Sequence, residues 1–283
     1  MTPGVSGRPG SSTGMPAPGF AARHADRLLR GAATSWFVVA VLGQLIFALY
    51  VLGFYGRAAW RGDWARWNQV LPHGHVAGDP YGNLVLSMHL LFAVLIMLSG
   101  ALQLIPAIRR RWPGMHRWNG RVYLVLAVTM SLGGLVMVAT RRTVGDLPQH
   151  VAIVINALLI LVCAAMAWRH ARARRFDAHR RWALSLFLVV SGVWFFRIGL
   201  MLWIVANRGP AGFDPDRFTG PFLSVLAFAQ YLVPLAMLQL YLYVRANAAQ
   251  AGRIAMAACL GVLTLMTAAG IAAATMIMWL PRL

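Results

Sequence analysis

The chain has 283 residues, 59% of them hydrophobic and only 12% charged, where a soluble domain carries roughly 25% charged residues. Its formal net charge of +19 comes from 26 Lys+Arg set against 7 Asp+Glu. A soluble enzyme core and a nucleic-acid binder are both excluded. The apolar residues gather into runs of the ~20 residues that a bilayer-crossing helix needs, and the basic ones fall in the short connections between them, as membrane topology requires.

In chain order, residues 1–31 are rich in Gly, Pro and Ser and read as a disordered cytoplasmic tail. Residues 32–283 then form a transmembrane domain. Seven apolar runs follow, at 34–55, 84–106, 119–140, 150–168, 182–205, 220–244 and 254–279. Between the first two lies a long connection, "GRAAWRGDWARWNQVLPHGHVAGDPYGN", in which Trp60, Trp64 and Trp67 are spaced for a short amphipathic helix in the headgroup region. The connections "IRRRWPGMHRWNGR" (108–121) and "WRHARARRFDAHRR" (168–181) hold the densest arginines. They share a side with Arg23, Arg27, Arg30, Arg245 and Arg253, so that side is cytoplasmic, with the amino terminus inside and the carboxyl terminus outside a cell inner membrane. "RRTVGDLPQ" (141–149) is an outer turn and the one exception to the charge bias. The expected fold is thus an all-α integral membrane protein of about seven transmembrane helices.

Runs two and three repeat the pattern of runs four and five. Each hairpin has a histidine towards the outer face (His89, His150), a basic inner turn, and a histidine at the inner start of its second helix (His116, His179). The repeat predicts a four-helix core over about 84–205, helices two to five, made of two hairpins. At 1.5 Å of rise per residue, the two histidine levels stand roughly 25 Å apart. Neutral imidazoles in facing pairs are axial ligands for haem iron, and helical bundles supply such ligands from inward positions.

Four helices with two histidine pairs, His89 with His150 and His116 with His179, resemble the cytochrome b561 family of transmembrane two-haem electron carriers. That resemblance implies two b-type haems and electron transfer, hence a membrane oxidoreductase. It does not extend to an ascorbate site, and it departs from the family in placing His116 and His179 in Arg-rich text ahead of their runs. The phrases "HRWNGRVY" and "HRRWALSLFLVVSG" are similar to a bacterial family of multi-pass membrane proteins catalogued as a domain of unknown function, which implies the architecture and no activity.

Arg197, in "SGVWFFRIGLM", is the only basic residue embedded between long apolar stretches, at the outer level. It predicts an anionic or carbonyl partner: a haem propionate, a lipid phosphate, or a small-molecule electron donor such as quinol. The alternative is a side chain that snorkels to the outer surface. Asn156 and Gln103 are placed to hydrogen-bond between helices. His73, His75 and Asp79 are a candidate metal site, with an ordinary exposed loop as the alternative. Cys163 and Cys259 both lie in apolar runs, and no CxxC, GxxxxGK[ST], HExxH or GxSxG occurs in a fitting context.

Two functional readings follow. In the first, the histidines hold haem and Arg197 steadies the outer haem or an electron donor. In the second, the chain is a non-redox transporter, lipid-binding protein or assembly factor. Its histidines are then interfacial or proton-linked, and Arg197 meets an anionic ligand.

Overall fold

A bilayer offers the backbone no hydrogen bonds, so an apolar chain must satisfy its peptide groups within each helix. The computed structural model describes residues 20–71, 74–140 and 145–283, and among these it is helical apart from short connections and one isolated β-bridge, Asp214 with Thr219. The long helices are α1 (Phe20–Val51), α2 (Pro80–Leu104), α3 (Pro113–Thr140), α4 (Leu147–Arg172), α5 (Phe176–Val190), α6 (Gly192–Asn207), α7 (Pro221–Asn247) and α8 (Gln250–Ala273). Six spans are long and apolar enough to cross a membrane, and α5 with α6 makes a seventh as a broken span bent by 51°. The fold is all-α and membrane-spanning.

Helix α1 already begins at Phe20, inside the segment expected to be tail. Residues 1–19 lie outside the described residues. The run at 182–205, expected as one helix, divides at Ser191–Gly192. The Ser191 hydroxyl donates to Phe187 O at 2.7 Å and accepts the Gln44 side-chain amide at 2.9 Å. A Ser–Gly pair is where helices kink, and a serine bonding back one turn bends them further.

Helices α2, α3, α4 and α5 pack in sequence. The ring closes where Gly100 of α2 lies against both Tyr123 of α3 and Phe187 of α5. Ile96, Tyr123, Leu126, Ala127, Ala152, Cys163, Ala164, Leu186 and Val189, drawn from all four helices, share one core, which Ala227 and Tyr231 of α7 cap. A second core joins α1, α6 and the outer loop through Phe47, Tyr50, Phe54, Trp67, Trp194 and Trp279. Trp67 is buried there, with its indole N–H on Tyr55 O at 3.1 Å. The expected amphipathic tryptophan helix is instead a short helix, Arg57–Trp60, followed by a 3-10 turn, Trp64–Gln69, that folds back onto the bundle. At the other end of the molecule Asp26 and Arg253 join α1 to α8 in an ion pair of 2.6 Å.

Matching caps begin the two hairpins. Asp79 accepts Gly82 N–H at 2.8 Å and Asp146 accepts Gln149 N–H at 3.2 Å, each followed by proline in the first turn. Asp146 also accepts the Ser224 hydroxyl at 3.1 Å, which ties the start of α4 to that of α7. Desolvation pushes its pKa up, but the hydrogen bonds from Gln149 and Ser224 outweigh it and hold the carboxyl below its ordinary 3.8. A carboxylate with a lowered folded-state pKa stabilises fully above about pH 4, and that contribution disappears as pH falls through the lowered value. The unfolding midpoint of Asp146→Ala in detergent should therefore lie below that of the parent at neutral pH and meet it in strong acid. At Gly270, an added Cβ would stand 2.8 Å from the carbonyl oxygen of Ile198, a backbone atom that cannot swing aside. Gly270→Ala should cost about 1–3 kcal/mol, seen as a lowered thermal midpoint.

Candidate functional site

The inner level is assembled by the α2–α3 hairpin. On α3 the residues His116, Gly120, Tyr123, Ala127, Ser131 and Gly134 recur at helical spacing and share one face. That face meets Ser99, Gly100 and Gln103 of α2. The Asn119 amide donates to Ser99 O at 2.8 Å and to Gln103 Oε1 at 2.9 Å, and the Ser99 hydroxyl returns a bond to Asn119 Oδ1 at 3.0 Å. Gln103 then reaches His116, its amide nitrogen 3.4 Å from Nε2, while His116 Nδ1 is buried with no partner.

His179 comes from the other hairpin. Its Nδ1 lies 2.9 Å from Ala167 O on α4. A carbonyl only accepts, so Nδ1 carries the proton and Nε2 is left with a free lone pair. His179 stands close enough to His116 for their charges to act on one another, and Arg109 bears on His116 in the same way. Both histidines lie within helices rather than ahead of them, because α3 starts at Pro113 and α5 at Phe176. Around this level, Arg111, Arg121 and Arg172 cover the rings of Trp112, Trp118 and Trp168 at 5.9, 5.1 and 6.0 Å. The Arg and Trp of these phrases thus belong to an interfacial belt, and the two histidines stand among them within electrostatic reach of one another.

At the outer level the arrangement differs from the expected symmetric pair. His89 follows its cap, Asp79, by more than two turns, whereas His150 lies in the first turn after Asp146. His89 therefore sits deeper in its helix, and α2 and α4 do not pack along their lengths. His89 is half-buried, and its Nδ1 is buried without a partner. The nearest charge acting on it is Arg197 of α6. The α2–α3 register that sets Gly100 by Tyr123 and Gln103 by Gly120 continues outward to bring His89 level with Gly133 and Gly134. No atom lies within 4 Å of where a Cβ on either glycine would stand. Gly134 continues the buried stripe of α3, so the space beside it opens off the four-helix core.

Arg197 does not snorkel outward. Its Nη1 turns back one helical turn towards Val193 O at 3.5 Å, and its guanidinium lies 5.3 Å from the centre of the Phe47 ring. Asn156 and Gln230 flank Gly192 at the α5–α6 break, each with a buried side-chain oxygen lacking a hydrogen-bond partner. Tyr50, Tyr55 and Trp279 adjoin Arg197 yet stood out in no sequence motif: tyrosine and tryptophan near a helix end look like any membrane-interface residues.

Among the described residues no group of three or more His, Cys, Asp or Glu gathers to hold a metal ion. His75 instead stacks on Trp64 with ring centres 6.4 Å apart, and Asp79 caps α2. His73 lies outside the described residues.

The inner donors suit bis-axial haem ligation, which takes one nitrogen from each of two imidazoles. One ring has its other nitrogen fixed on a carbonyl, as metal-bound histidines commonly do, while the second has Nε2 facing the Gln103 amide, which must turn away to free it, and Nδ1 buried with no protein partner. At the outer level His89 and the open glycine face meet half of that requirement.

Residues 86–233 match the model of a family described as predicted membrane protein (DUF2306), a stretch that takes in all four histidines and Arg197. No curated protein and no solved structure matches the chain. Removing Asn119 would take the partners of Gln103 Oε1 and of the Ser99 hydroxyl in a half-buried site, so Asn119→Ala should cost about 1–3 kcal/mol. A drop in the unfolding midpoint of purified protein, larger than that for a lipid-facing control such as Val125→Ala, checks it.

Proposed function

Because the chain belongs to this DUF2306 family of membrane proteins, whose description assigns no activity, we propose from its own geometry that it is a transmembrane b-type haem protein. It carries electrons between an inner site at His116 and His179 and an outer site at His89 and His150. The observation that carries the reading is that His116 and His179, from separate hairpins, stand within electrostatic reach of one another, with the His179 tautomer set by Ala167 O. Haem b held there supplies a one-electron iron couple inside a barrier otherwise closed to charge.

The protein's own part is to place, orient and insulate. Ser99, Asn119 and Gln103 fix the rotation of α2 against α3, and hence the direction in which His116 faces. Arg109 supplies a cation beside the inner pair. Between the two levels Ile96, Tyr123, Leu126, Leu186 and Val189 fill the bundle and exclude water. The reading places the chain in a bacterial inner membrane with the arginine-rich connections and the start of α1 in the cytoplasm. With seven crossings, the carboxyl terminus is then outside. It makes the protein a membrane oxidoreductase in partnership with a quinol or other small-molecule donor at the outer face.

One observation favours the second reading, a non-redox protein with an anionic ligand: Arg197 lies in the outer half with no carboxylate beside it among the described residues. Absorption separates the two. Protein purified from haem-sufficient membranes should give b-type bands in a reduced-minus-oxidised spectrum, with about two haems per chain. His116→Ala and His179→Ala should each remove the same spectral component, and His89→Ala a different one. A colourless protein of correct fold would reject the haem reading, and loss of one shared component in all three variants would reject the assignment to two levels.

A further inference from the structure

Two arginines converge on one pair of tyrosines at the outer end of the bundle. Arg197 comes from α6, and Arg282 from the short 3-10 turn Leu280–Arg282 that follows α8. Both stand close enough to Tyr50 and Tyr55 for their charges to act on the phenols. The rings of Tyr50 and Tyr55 meet edge-on at 6.2 Å and 77°. Tyr50 is stacked on Trp279 at 6.2 Å, Trp279 lies 5.1 Å from Phe47, and Phe47 lies under Arg197. These residues therefore wall one neighbourhood with aromatic surface.

Three polar atoms in that neighbourhood are buried without a geometric hydrogen-bond partner. The Tyr50 hydroxyl and the Trp279 indole N–H are buried with no hydrogen-bond partner, as is Nδ1 of His89. Arg197 makes one long bond to Val193 O, and Arg282 one bond to Met278 O. Neither arginine is within ion-pair distance of a carboxylate among the described residues, where the pairs found are Arg217 with Asp214 and Arg253 with Asp26. Asp63, the acid of the adjoining outer loop, pairs with neither. Two guanidinium groups near one pair of phenols repel each other, and a buried donor left without an acceptor is costly. A single acceptor-rich anion corrects both defects. The rim draws such a group inward, because Arg66 lies at 5.4 Å over Phe54 and donates to Arg282 O, while Arg57 donates to Leu283 O.

We propose that this is a binding site for an amphiphilic oxyanion, a phosphate or carboxylate on an apolar body. Arg197 and Arg282 take the charge, the Tyr50 hydroxyl donates to it, and Phe47, Phe54 and Trp279 hold the body. The site goes beyond the haem reading and does not depend on it. An anionic lipid headgroup and a soluble aromatic acid share this chemistry, and the test tells them apart.

The full chain is reconstituted in nanodiscs of uncharged phosphatidylcholine and its thermal midpoint is followed in two series. One series adds inorganic phosphate or benzoate to the buffer, and the other replaces part of the lipid by phosphatidylglycerol. A rise of several degrees in either series is the expected result: in the second alone it identifies a lipid headgroup, in the first a soluble anion. Arg197→Gln should weaken the response about tenfold in half-saturating concentration. Tyr50→Phe, which keeps the ring and its packing, should weaken it by less, and Arg217→Gln, a surface control, should leave it unchanged. If Arg197→Gln fails to fold, Arg282→Gln and Tyr50→Phe decide the matter. No rise in any series, or an equal rise in the parent and every folded variant of the site, would overturn the proposal. Spectra recorded on the same samples report haem separately, so a colourless protein that still responds to the anion rejects only the haem reading.

Discussion

In the apolar interior of a membrane each polar group must find its partner within the chain, and this single requirement organises the molecule. Between the paired helices it is partly met: Ser99, Gln103 and Asn119 bond one another and His179 bonds Ala167 O, while His116 Nδ1 stays unpartnered. These links cross from α2 to α3 and from α4 to α5, so they set how each hairpin is rotated. That rotation sets the direction in which His116 and His179 face.

Midway across, the same requirement bends the chain. The Ser191 hydroxyl bonds back to Phe187 O and receives Gln44, and α6 departs from α5 by 51°. Had the run stayed straight, Arg197 would have continued up the four-helix core beside α4. The bend carries it across to α1 and the second core, where it faces Phe47, Tyr50 and Tyr55. A helix break less than two turns away therefore decides which residues surround this charge. The outer end of the molecule is where the requirement is left unmet, and the two ends differ in character for that reason. The Ser99, Gln103 and Asn119 side chains are bonded into a scaffold, while the Tyr50 hydroxyl and the Trp279 indole are unpartnered groups near a cation.

Much of the fold was legible in the sequence because the bilayer fixes helix length. Runs of apolar residues marked the spans, and the hairpin repeat marked the four-helix core, which the packing of α2, α3, α4 and α5 reproduces. The depth of each histidine followed from the constant rise of a helix. The inner pair was legible to that extent, but the outer pair less so. A repeat counted from basic turns aligns His89 with His150, whereas counting from the caps at Asp79 and Asp146 shows that His89 lies deeper. Its electrostatic neighbour, Arg197, comes from beyond both hairpins.

The sequence by itself determined that this is a membrane protein, where its apolar runs lie, and roughly how far along them the histidines and Arg197 stand. Those properties depend on composition and on distance along one helix, both of which are local. Only the tertiary structure decided which groups share a site: Tyr50, Arg197 and Arg282 are far apart in the chain and meet only after α1, α6 and the turn following α8 have packed. The direction in which a helix faces depends on neighbouring helices, and apolar runs without a marked polar face carry little record of it. That is why the histidine levels were readable from spacing, while the cation-lined end of the bundle emerged only from the packing.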